Sequence, residues 1–488
     1  MKFFYLKKAD ENIPVLRTKI LSLDIGSTEM KSGDSIFIDL GNHYVGYFSF
    51  KLWYVDMYID APVTMSVRFC ETKRELDDDY SDYHGVLCKS WLQEEIINVD
   101  FPGRYEMPRR YAARYIKICI INSPQKLSLS DFIFKSVSSA DENSIAEFDI
   151  SDKELKRIDE ISVNTLKNCM QRVFEDGPKR DRRLWIGDLR LEALTNYYTF
   201  KNYELVKRCL YLFAASDRNS FGFMPGYLYE NPIFVSGYWF IEDYNLMYVC
   251  SLCDYYMHTM DQETFNDLYP AAKSIMDSME NILDDAGIVT TCGGSAFVDW
   301  CPGLNKITSL QGIYLYTLEL WVNVLKMLSD NDVHIYTQRL NRGRKVALEY
   351  LYDASKNSFV NKADDYQYSV HSTVWMILGG VITGEKAKDA LYKAINSPDS
   401  IKPFTPYMHH YLVEAFVKIG EMNAAEQHIR KIWGGMAKLG FDTFSELYVP
   451  DDLDFSAYGD RKINSMCHAW SCTPSYFIRK YGLQMNKI

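Results

Sequence analysis

The residues of this chain best suited to acid–base chemistry and polar recognition are concentrated between positions 175 and 188. The segment reads EDGPKRDRRLWIGD and contains three aspartates, four cationic residues, one tryptophan and two glycines. Carboxylate and guanidinium groups bind sugar hydroxyls through paired hydrogen bonds, and cleavage of a glycosidic bond needs a carboxylic acid that protonates the leaving oxygen. Because Gly177-Pro178 prevents a regular helix, the segment is predicted to form a rigid polar loop. A solvated surface turn with local ion pairs is the alternative interpretation.

The same segment resembles the active-site signature of the α-L-rhamnosidases of glycoside hydrolase family 78. The matching pattern is Asp176-Gly177-Pro178-x-Arg180-Asp181-Arg182-x-x-Trp185-x-Gly187-Asp188. The resemblance implies that Asp181 is the general acid, at a position where the family usually has Glu. It also implies that four neighbours contact the sugar, namely Asp176, Arg180, Trp185 and Asp188. The resemblance extends more weakly over nearly the whole chain.

Two segments near the C-terminus also resemble this family. Residues 440–446 (GFDTFSE) are similar to its Thr-x-Trp-Glu segment, which implies that Glu446 is the general base, with Ser445 in place of the usual Trp. Residues 464–471 (NSMCHAWS) are similar to its Ser-x-x-His-x-Trp segment, which implies that His468 contacts the sugar by hydrogen bonding rather than proton transfer. Taken without the resemblance, Glu446 is as readily a structural cap, and a lone histidine at a helix start is more often a cap or core residue.

Two central segments each combine aromatic and acidic residues. They are residues 237–244 (GYWFIEDY) and residues 297–303 (FVDWCPG), both predicted at a helix start or in a loop. Toroidal glycosidases line their substrate pit with such residues, and the candidates here are Trp239, Asp243, Asp299 and Trp300. A buried tryptophan beside a capping aspartate is the alternative interpretation of both segments.

The arginines on either side of Asp181 create a conflict for an acid catalyst. A cation directed at Asp181 would lower its pKa and keep the proton off the carboxylate. The predicted mechanism therefore requires Arg180 and Arg182 to point at Asp176, at Asp188 or at the sugar instead.

The elements that must position these residues change in type near residue 145. Before it, apolar residues alternate with polar ones, as in Val63-Thr64-Met65-Ser66-Val67, which predicts an antiparallel β-sandwich over residues 1–145. Residues 138–144 have the composition of a linker, and Ser151-Asp152-Lys153-Glu154 has the pattern of a capping box. Family 78 enzymes likewise have a β-sandwich before the catalytic domain.

Residues 146–488 carry helical periodicity almost throughout. About twelve helical segments joined by alternately short and long connections predict an (α/α)6 toroid, in which six hairpins form two concentric rings around a pit. One such segment begins at Thr405-Pro406, a cap followed by Pro at the first helical position, and ends at Gly420. An α-solenoid of binding repeats is the alternative, but no fixed repeat of 34 to 45 residues is visible.

Composition excludes several other classes of function. The 488 residues carry a formal net charge of −11 and no Lys/Arg cluster longer than the one around Asp181, which argues against a nucleic acid or an anionic membrane as partner. No stretch approaches the roughly 18 to 20 apolar residues of a membrane span, and the N-terminus has no signal-peptide core. Eleven scattered cysteines fit a reducing compartment, so we expect a soluble cytoplasmic protein. The spacing Cys250-x-x-Cys253 lacks further ligands and predicts two residues of one helix; no metal site and no cofactor are expected.

Together these features predict an inverting glycoside hydrolase that removes terminal α-L-rhamnosyl residues from a glycoside or oligosaccharide. Family 78 catalytic domains are normally followed by a C-terminal β-sandwich, for which this sequence leaves no room, so we expect a more open pit. Two alternatives stay open: another six-hairpin glycosidase with a different sugar specificity, and a non-catalytic carbohydrate-binding homologue. Linkage, aglycone and oligomeric state are not determined by the sequence.

Overall fold

The first part of the chain is an antiparallel β-domain preceded by one helix. The computed structural model describes residues 1–55, 61–145, 147–291 and 295–483. Helix α1 spans Lys2–Glu11. The eight strands that follow are β1 Arg17–Leu23, β2 Thr28–Met30, β3 Ser35–Tyr54, β4 Val63–Cys70, β5 Glu94–Val99, β6 Gly103–Glu106, β7 Tyr111–Asn122 and β8 Leu127–Ser138.

Strand β3 joins the two halves of this β-domain. The strand order is β1-β8-β3-β7-β4-β5, with β2 beside β8 and β6 beside β3. The first half of β3 pairs with β7 and the second half with β8. Its Phe48 ring packs on Phe69 of β4, a strand with which β3 is not paired, with the ring centroids 5.8 Å apart. The sheet therefore folds over one apolar core, and the predicted alternation is confirmed: Ile38 is 2% exposed, whereas its neighbour Phe37 is 55% exposed.

Helix α1 belongs to the packing of the helical part rather than to the core of the sheet. The ring of Tyr5 lies against Tyr211, with centroids 6.3 Å apart, and Arg208 donates a 2.7 Å hydrogen bond to the carbonyl of Ala9. The predicted linker is also attached, because Ser138 Oγ donates to the carbonyl of Lys167 at 2.6 Å. Both ends of the β-domain are thus fastened to the helices.

Twelve helices follow in the described part of the chain after residue 147. They are α2 Lys153–Cys169, α3 Ile186–Tyr198, α4 Tyr203–Ala214, α5 Glu242–Thr259, α6 Gln262–Glu280, α7 Ile307–Met327, α8 Val333–Tyr350, α9 Val370–Leu378, α10 Gly384–Asn396, α11 Pro406–Lys418, α12 Met422–Lys438 and α13 Pro474–Tyr481. Short strands in the connections are β9 Leu184–Trp185, β10 Tyr227–Tyr229, β11 Val235–Ser236, β12 Tyr352–Asp353, β13 Ser358–Lys362, β14 Asp365–Ser369 and β15 Ser400–Ile401. The predicted helix number is confirmed.

The odd-numbered helices α3 to α13 form a closed inner ring. Helices α3, α5, α7, α9 and α11 pack side by side in that order, α13 packs on α3, and the 3-10 helix Ala469–Ser471 bridges α11 and α3. Inner helices are buried on all sides, as in α9, whereas outer helices such as α8 bury one face only. Short connections lead from inner to outer helices and longer ones return, so the longer loops meet at the N-terminal ends of the inner ring.

The helix boundaries agree with the capping residues in the sequence, with one correction. Thr405 accepts a hydrogen bond from the backbone N–H of Met408 and Pro406 is the first helical residue, as predicted for α11. The cap of α2 is Asp152 rather than Ser151, because the Asp152 carboxylate accepts from the backbone N–H groups of Glu154 and Leu155.

The described residues contain neither a membrane-spanning helix nor a cluster of metal-binding side chains. Over residues 1–55, 61–145, 147–291 and 295–483, no helix is long and apolar enough to cross a membrane. The same residues contain no group of three or more His, Cys, Asp or Glu side chains placed to hold a metal ion.

Candidate active site

The segment from Asp176 to Arg183 forms a tight loop closed around the Asp176 carboxylate. One oxygen of this carboxylate accepts the backbone N–H of Asp181 at 3.2 Å, and the other accepts that of Arg183 at 3.0 Å. The backbone N–H of Asp176 in turn donates to the Arg183 carbonyl at 3.0 Å. Gly177 is required here because a Cβ would lie 2.3 Å from the Arg180 carbonyl oxygen. The loop is rigid, as predicted, and it is buried rather than a solvated turn.

This loop forms one wall of a pit at the N-terminal ends of the inner helices. The pit is small, with a volume of about 50 Å³. Its lining residues are Asp176, Arg180, Asp181, Trp185, Asp188, Trp239, Ile241, Tyr244, Phe297, Trp300, Glu446, Tyr458, His468 and Trp470. They come from segments that are up to about 290 positions apart in the sequence, and the toroid brings them together.

Asp181 is the acid of the loop that faces the pit most openly. Its side chain is 18% exposed, and the nearest cations are Arg183, with an N–O distance of 3.5 Å, and Arg180, at 3.9 Å. Burial raises the pKa of Asp181, with a smaller contribution from Glu446, although the two arginines oppose the shift. The carboxyl group is thereby favoured in its protonated form, as a proton donor requires.

The arginines around Asp181 are directed elsewhere, in part as predicted. Arg182 turns away from the pit, where its side chain donates to the carbonyls of Pro178 at 2.8 Å and Arg110 at 2.9 Å. Arg180 donates to the carbonyl of Ile463 at 2.6 Å and forms a close ion pair with Glu446. The expectation that these two arginines would point at Asp176 or Asp188 is therefore wrong for both, because Arg182 binds backbone carbonyls and the carboxylate partner of Arg180 is Glu446.

Glu446 lies across the pit, where neighbouring side chains contact both its carboxylate and its backbone. Besides Arg180, its carboxylate accepts the Tyr458 hydroxyl at 2.5 Å, and the His468 ring lies at 3.9 Å. The Glu446 carbonyl accepts the Trp470 indole N–H at 3.0 Å. Both the carboxylate and its backbone are therefore held in one orientation, with a side-chain exposure of only 4%.

Two further acids and His468 complete the polar floor of the pit. Burial, with the charge of Asp181, raises the pKa of Asp176 to about 8. Burial also raises the pKa of Asp188 well above its ordinary value, with Asp176 and Glu446 adding to the shift. Asp188 lies in the first turn of α3, and one of its oxygens is 3.5 Å from Nδ1 of His468. Burial lowers the pKa of His468 well below its ordinary value, so the ring is neutral at pH 7.

Aromatic rings form the opposite wall. Trp185, held in β9, contacts Trp239 edge to face with centroids 6.0 Å apart, and Tyr244 at 6.3 Å. Trp300 contacts Tyr458 at 6.0 Å. An aromatic wall facing carboxyl groups suits a sugar ring, which has apolar C–H faces and polar edges.

Asp243 and Asp299, predicted as sugar contacts, lie outside the lining of the pit. The Asp243 carboxylate accepts the backbone N–H groups of Phe297 at 2.7 Å and Val298 at 2.8 Å. Asp299 accepts from His371 at 2.7 Å, from the backbone N–H groups of Phe404 and Thr405, and from the Thr405 hydroxyl. Both side chains hold the loop that carries Trp300 in place by hydrogen bonds, which agrees with the alternative interpretation of a buried capping Asp.

Ser445, which stands where the family has Trp, does not face the pit. It lines a separate cavity of about 630 Å³ between the β-domain and the helices, together with its alternate neighbours Thr443 and Leu447. Side chains of an extended segment alternate in direction, so Glu446 points the other way. The substitution therefore leaves the pit wall unchanged.

Several lining residues were not identified from the sequence. Tyr458 lies between the two motifs of the long connection from α12 to α13, in the cluster Tyr458-Gly459-Asp460-Arg461, whose composition is typical of a polar binding loop. Ile241, Tyr244, Phe297 and Trp470 also line the pit, close in sequence to predicted residues. Arg183, the cation nearest to Asp181, was likewise not singled out.

Comparisons with known proteins match this architecture. The model of the glycosyl hydrolase family 78 α-rhamnosidase N-terminal domain matches residues 16–138. The model of the bacterial α-L-rhamnosidase six-hairpin glycosidase domain matches residues 143–481. No curated protein matches the chain.

Solved structures agree with the family models. A rhamnosidase from Klebsiella oxytoca with rhamnose bound is 34% identical over 98% of this chain and 99% of its own, with a TM-score of 0.93. A family 78 rhamnosidase of Bacillus sp. GL1 (23% identity, 96% of this chain, 48% of its own, TM-score 0.77) and an α-L-rhamnosidase of Streptomyces avermitilis complexed with L-rhamnose (17%, 95%, 44%, 0.70) share the fold. The chain is thus a glycosidase that belongs to glycosyl hydrolase family 78, with the six-hairpin catalytic domain of the bacterial α-L-rhamnosidases.

Proposed function

We propose that the protein is an inverting α-L-rhamnosidase that removes a terminal rhamnosyl residue, with Asp181 as general acid and Glu446 as general base. The observation that carries this proposal is that both carboxylates face one pit and approach the same guanidinium group, that of Arg180. Because the two terminal nitrogens of a guanidinium are close together, one oxygen of each carboxyl group lies within roughly 9 Å of the other. This bound includes the roughly 6.5 to 9.5 Å of inverting pairs, which leaves room for the attacking water, and also the roughly 5 to 5.5 Å of retaining pairs, so the anomer released decides between the two.

In the proposed reaction Asp181 donates a proton and Glu446 accepts one. Asp181, favoured in its protonated form by burial, gives its proton to the glycosidic oxygen as the bond to the sugar breaks. Glu446, oriented by Arg180 and Tyr458, accepts a proton from water that attacks the opposite face of the sugar. The proton gained by Glu446 balances the one lost by Asp181, and the product has the inverted anomeric configuration.

The shape of the pit supports a single terminal sugar as substrate. The pit, at about 50 Å³, is much smaller than the cavity of about 630 Å³ beside Ser445, which favours one sugar ring over a chain of several. The carboxyl groups of Asp176 and Asp188, whose pKa values are raised by burial, hydrogen-bond to ring hydroxyls, and neutral His468 offers one donor and one acceptor. The rhamnose reported in the structures from Klebsiella oxytoca and Streptomyces avermitilis supports the choice of sugar.

The proposal is tested by hydrolysis of nitrophenyl α-L-rhamnoside and of a rhamnosyl oligosaccharide, with the product followed by proton NMR during the first turnovers. We expect release of the β anomer of L-rhamnose before mutarotation. Initial release of the α anomer would contradict inversion alone. Cleavage of a different nitrophenyl glycoside instead would favour another sugar specificity, and binding of sugar without any cleavage would favour a non-catalytic homologue.

A further inference from the structure

Lys179, next to Arg180 in the acid loop, is a buried cation that the proposed reaction does not use. Its side chain is 1% exposed and points away from the pit toward the β-domain. Its ammonium group contacts Glu75 at 3.1 Å and Glu71 at 3.8 Å. Both acids follow strand β4, so they reach the catalytic loop from the other domain. Burial of a charged group costs free energy unless the group is ion-paired and hydrogen-bonded, and the Lys179 ammonium group has partners of both kinds.

The same ammonium group also binds residues 462–466, the strip of chain that leads to His468. It donates to the carbonyls of Asn464 at 3.1 Å and Lys462 at 3.4 Å. The intervening carbonyl of Ile463 accepts from Arg180 at 2.6 Å. Lys179 and Arg180, two successive residues of the acid loop, thus donate hydrogen bonds to the three successive carbonyls of Lys462, Ile463 and Asn464. Lys179 binds them from the β-domain side and Arg180 from the pit side.

Glu71 fastens the other end of this strip. One of its oxygens accepts the backbone N–H of Met466 at 2.7 Å, and the other lies 3.2 Å from the His43 ring. The strip in turn holds the base, because the backbone N–H of Glu446 donates to the carbonyl of Ser465 at 3.0 Å. The acid loop and the base segment are therefore attached to one strip, and that strip is anchored in the β-domain.

We infer, resting on the proposed function, that Lys179 is a positioning residue and that the β-domain is part of the catalytic apparatus. Lys179, through Glu71 and Glu75, fixes the distance between the general acid, two residues farther along the chain, and the general base. A displacement of about 1 Å is enough to cost about a hundredfold in rate when reacting groups must be aligned. The β-domain then acts as a template for the pit although it contributes no lining residue in the described part of the chain.

The test is Lys179→Met, which keeps the length of the side chain and removes its charge. The readout is the ratio of kcat/KM for a rhamnosyl disaccharide to kcat/KM for nitrophenyl rhamnoside, because only the poor leaving group depends strongly on protonation by Asp181. We expect the disaccharide rate to fall at least tenfold more than the nitrophenyl rate. Glu75→Gln, which keeps the shape of the partner and folds more readily, should shift the same ratio at least threefold.

Arg479→Met is the matched control. Arg479 pairs with Asp159 at 2.7 Å, both side chains are similarly buried, and the pair joins α13 to α2 at the end of the ring opposite the pit. It should lower the melting temperature and leave the ratio unchanged. If Lys179→Met and Glu75→Gln also lower only the melting temperature, the positioning role is wrong and Lys179 is merely structural.

Hydrogen exchange followed by mass spectrometry gives a readout that does not depend on the substrate. Backbone amides in residues 176–183 and 461–468 should exchange faster in Lys179→Met and Glu75→Gln than in the wild type, but not in Arg479→Met. A wild type without rhamnosidase activity would remove the proposed function and leave this exchange result to decide whether Lys179 holds the two segments. Unchanged exchange in both segments would overturn the inference even in an active enzyme.

Discussion

At the scale of single residues, the central feature is an aspartate whose pKa is raised by burial although two arginines lie beside it. Asp181 has Arg183 at 3.5 Å and Arg180 at 3.9 Å, but each arginine also contacts other groups. Arg180 pairs with Glu446, and the Arg183 guanidinium lies over the rings of Tyr227 and Tyr229. Burial therefore determines the direction of the pKa shift. The cations stay close enough to stabilise the carboxylate that forms once the proton has been transferred.

Replacement of the acid by its amide should remove proton donation and keep the shape of the pit. Asp181→Asn is expected to lower kcat about 10² to 10⁴-fold on a natural rhamnoside. The loss should be smaller on nitrophenyl rhamnoside, whose leaving group needs little protonation. Asp181→Glu, which restores the residue usual in the family, is the control and should retain far more activity than the amide. Equal losses for Asp181→Asn on both substrates would make Asp181 a binding residue rather than the acid.

The raised pKa of Asp176 predicts a specific dependence of stability on pH. Its folded-state pKa of about 8 lies above the unfolded value, so this carboxyl group makes folding less favourable as the pH rises from about 4 to about 8. Asp176→Asn cannot ionise and removes that loss. We expect the melting temperature of the variant, relative to the wild type, to be higher at pH 8.5 than at pH 5, a change worth at least about 1 kcal/mol.

The sign of this change is the decisive observation for Asp176. The amide also disturbs the hydrogen bonds from the backbone N–H groups of Asp181 and Arg183, but that cost is the same at both pH values and cancels in the comparison. A constant difference in melting temperature between pH 5 and pH 8.5 would show that Asp176 is ionised in the folded protein throughout this range.

At the scale of elements, the loop that carries Trp300 is fixed by a buried carboxylate. Asp299 accepts five hydrogen bonds, one from the backbone N–H of Trp300. The other four join this loop to α9 through His371 and to the start of α11 through Phe404 and Thr405. Asp299→Ala leaves these buried donors without partners, each at a cost of about 1 to 3 kcal/mol. We expect a fall in melting temperature of several degrees, measured by calorimetry, with a smaller effect in Asp299→Asn. A variant of wild-type stability that no longer binds L-rhamnose would instead make Asp299 a sugar contact.

The elements themselves could largely be predicted from sequence periodicity. Alternation in β4 and the Thr405-Pro406 start of α11 are local signals, and the structure agrees with both. Helix α1 gave no such signal because it is stabilised by distant contacts, such as that between Tyr5 and Tyr211. The pairing of Lys179 with Glu75, 104 positions apart, is equally invisible in a sequence. The site residues came from a resemblance of short motifs, whereas Tyr458, which lies between the two motifs of the connection from α12 to α13, was missed.

At the scale of the whole molecule, the pit is a property of ring closure. Its acids come from the loops before α3 and α13, and its aromatic wall comes from the loops before α3, α5, α7 and α13. The β-domain closes the assembly from outside by ion pairs such as Arg114 with Asp442 and Arg461 with Asp78. Because these contributions are far apart in sequence, neither the acid nor the aromatic wall exists before the toroid has closed.

This closed geometry predicts selectivity for a 6-deoxy sugar. A site that encloses the methyl group of rhamnose with Trp185, Trp239 and Trp300 leaves the extra hydroxyl of a mannoside without a partner. Such a buried hydroxyl costs about 1 to 3 kcal/mol, or about 10- to 150-fold in rate. We therefore expect kcat/KM for nitrophenyl α-L-rhamnoside to exceed that for the α-L-mannoside at least tenfold.

Truncation of the wall tests the same argument. Trp239 is 40% exposed at the rim of the pit, so Trp239→Ala removes contact area without opening the core. The variant should cleave both sugars more slowly than the wild type. Trp53→Ala is the matched control, because Trp53 is 43% exposed on the β-domain and does not line the pit, and it should leave both rates unchanged. If the mannoside proves the equal or better substrate of the wild type, the aromatic wall does not enclose a methyl group and the proposed preference for rhamnose is wrong, while the acid–base pair across the pit is unaffected.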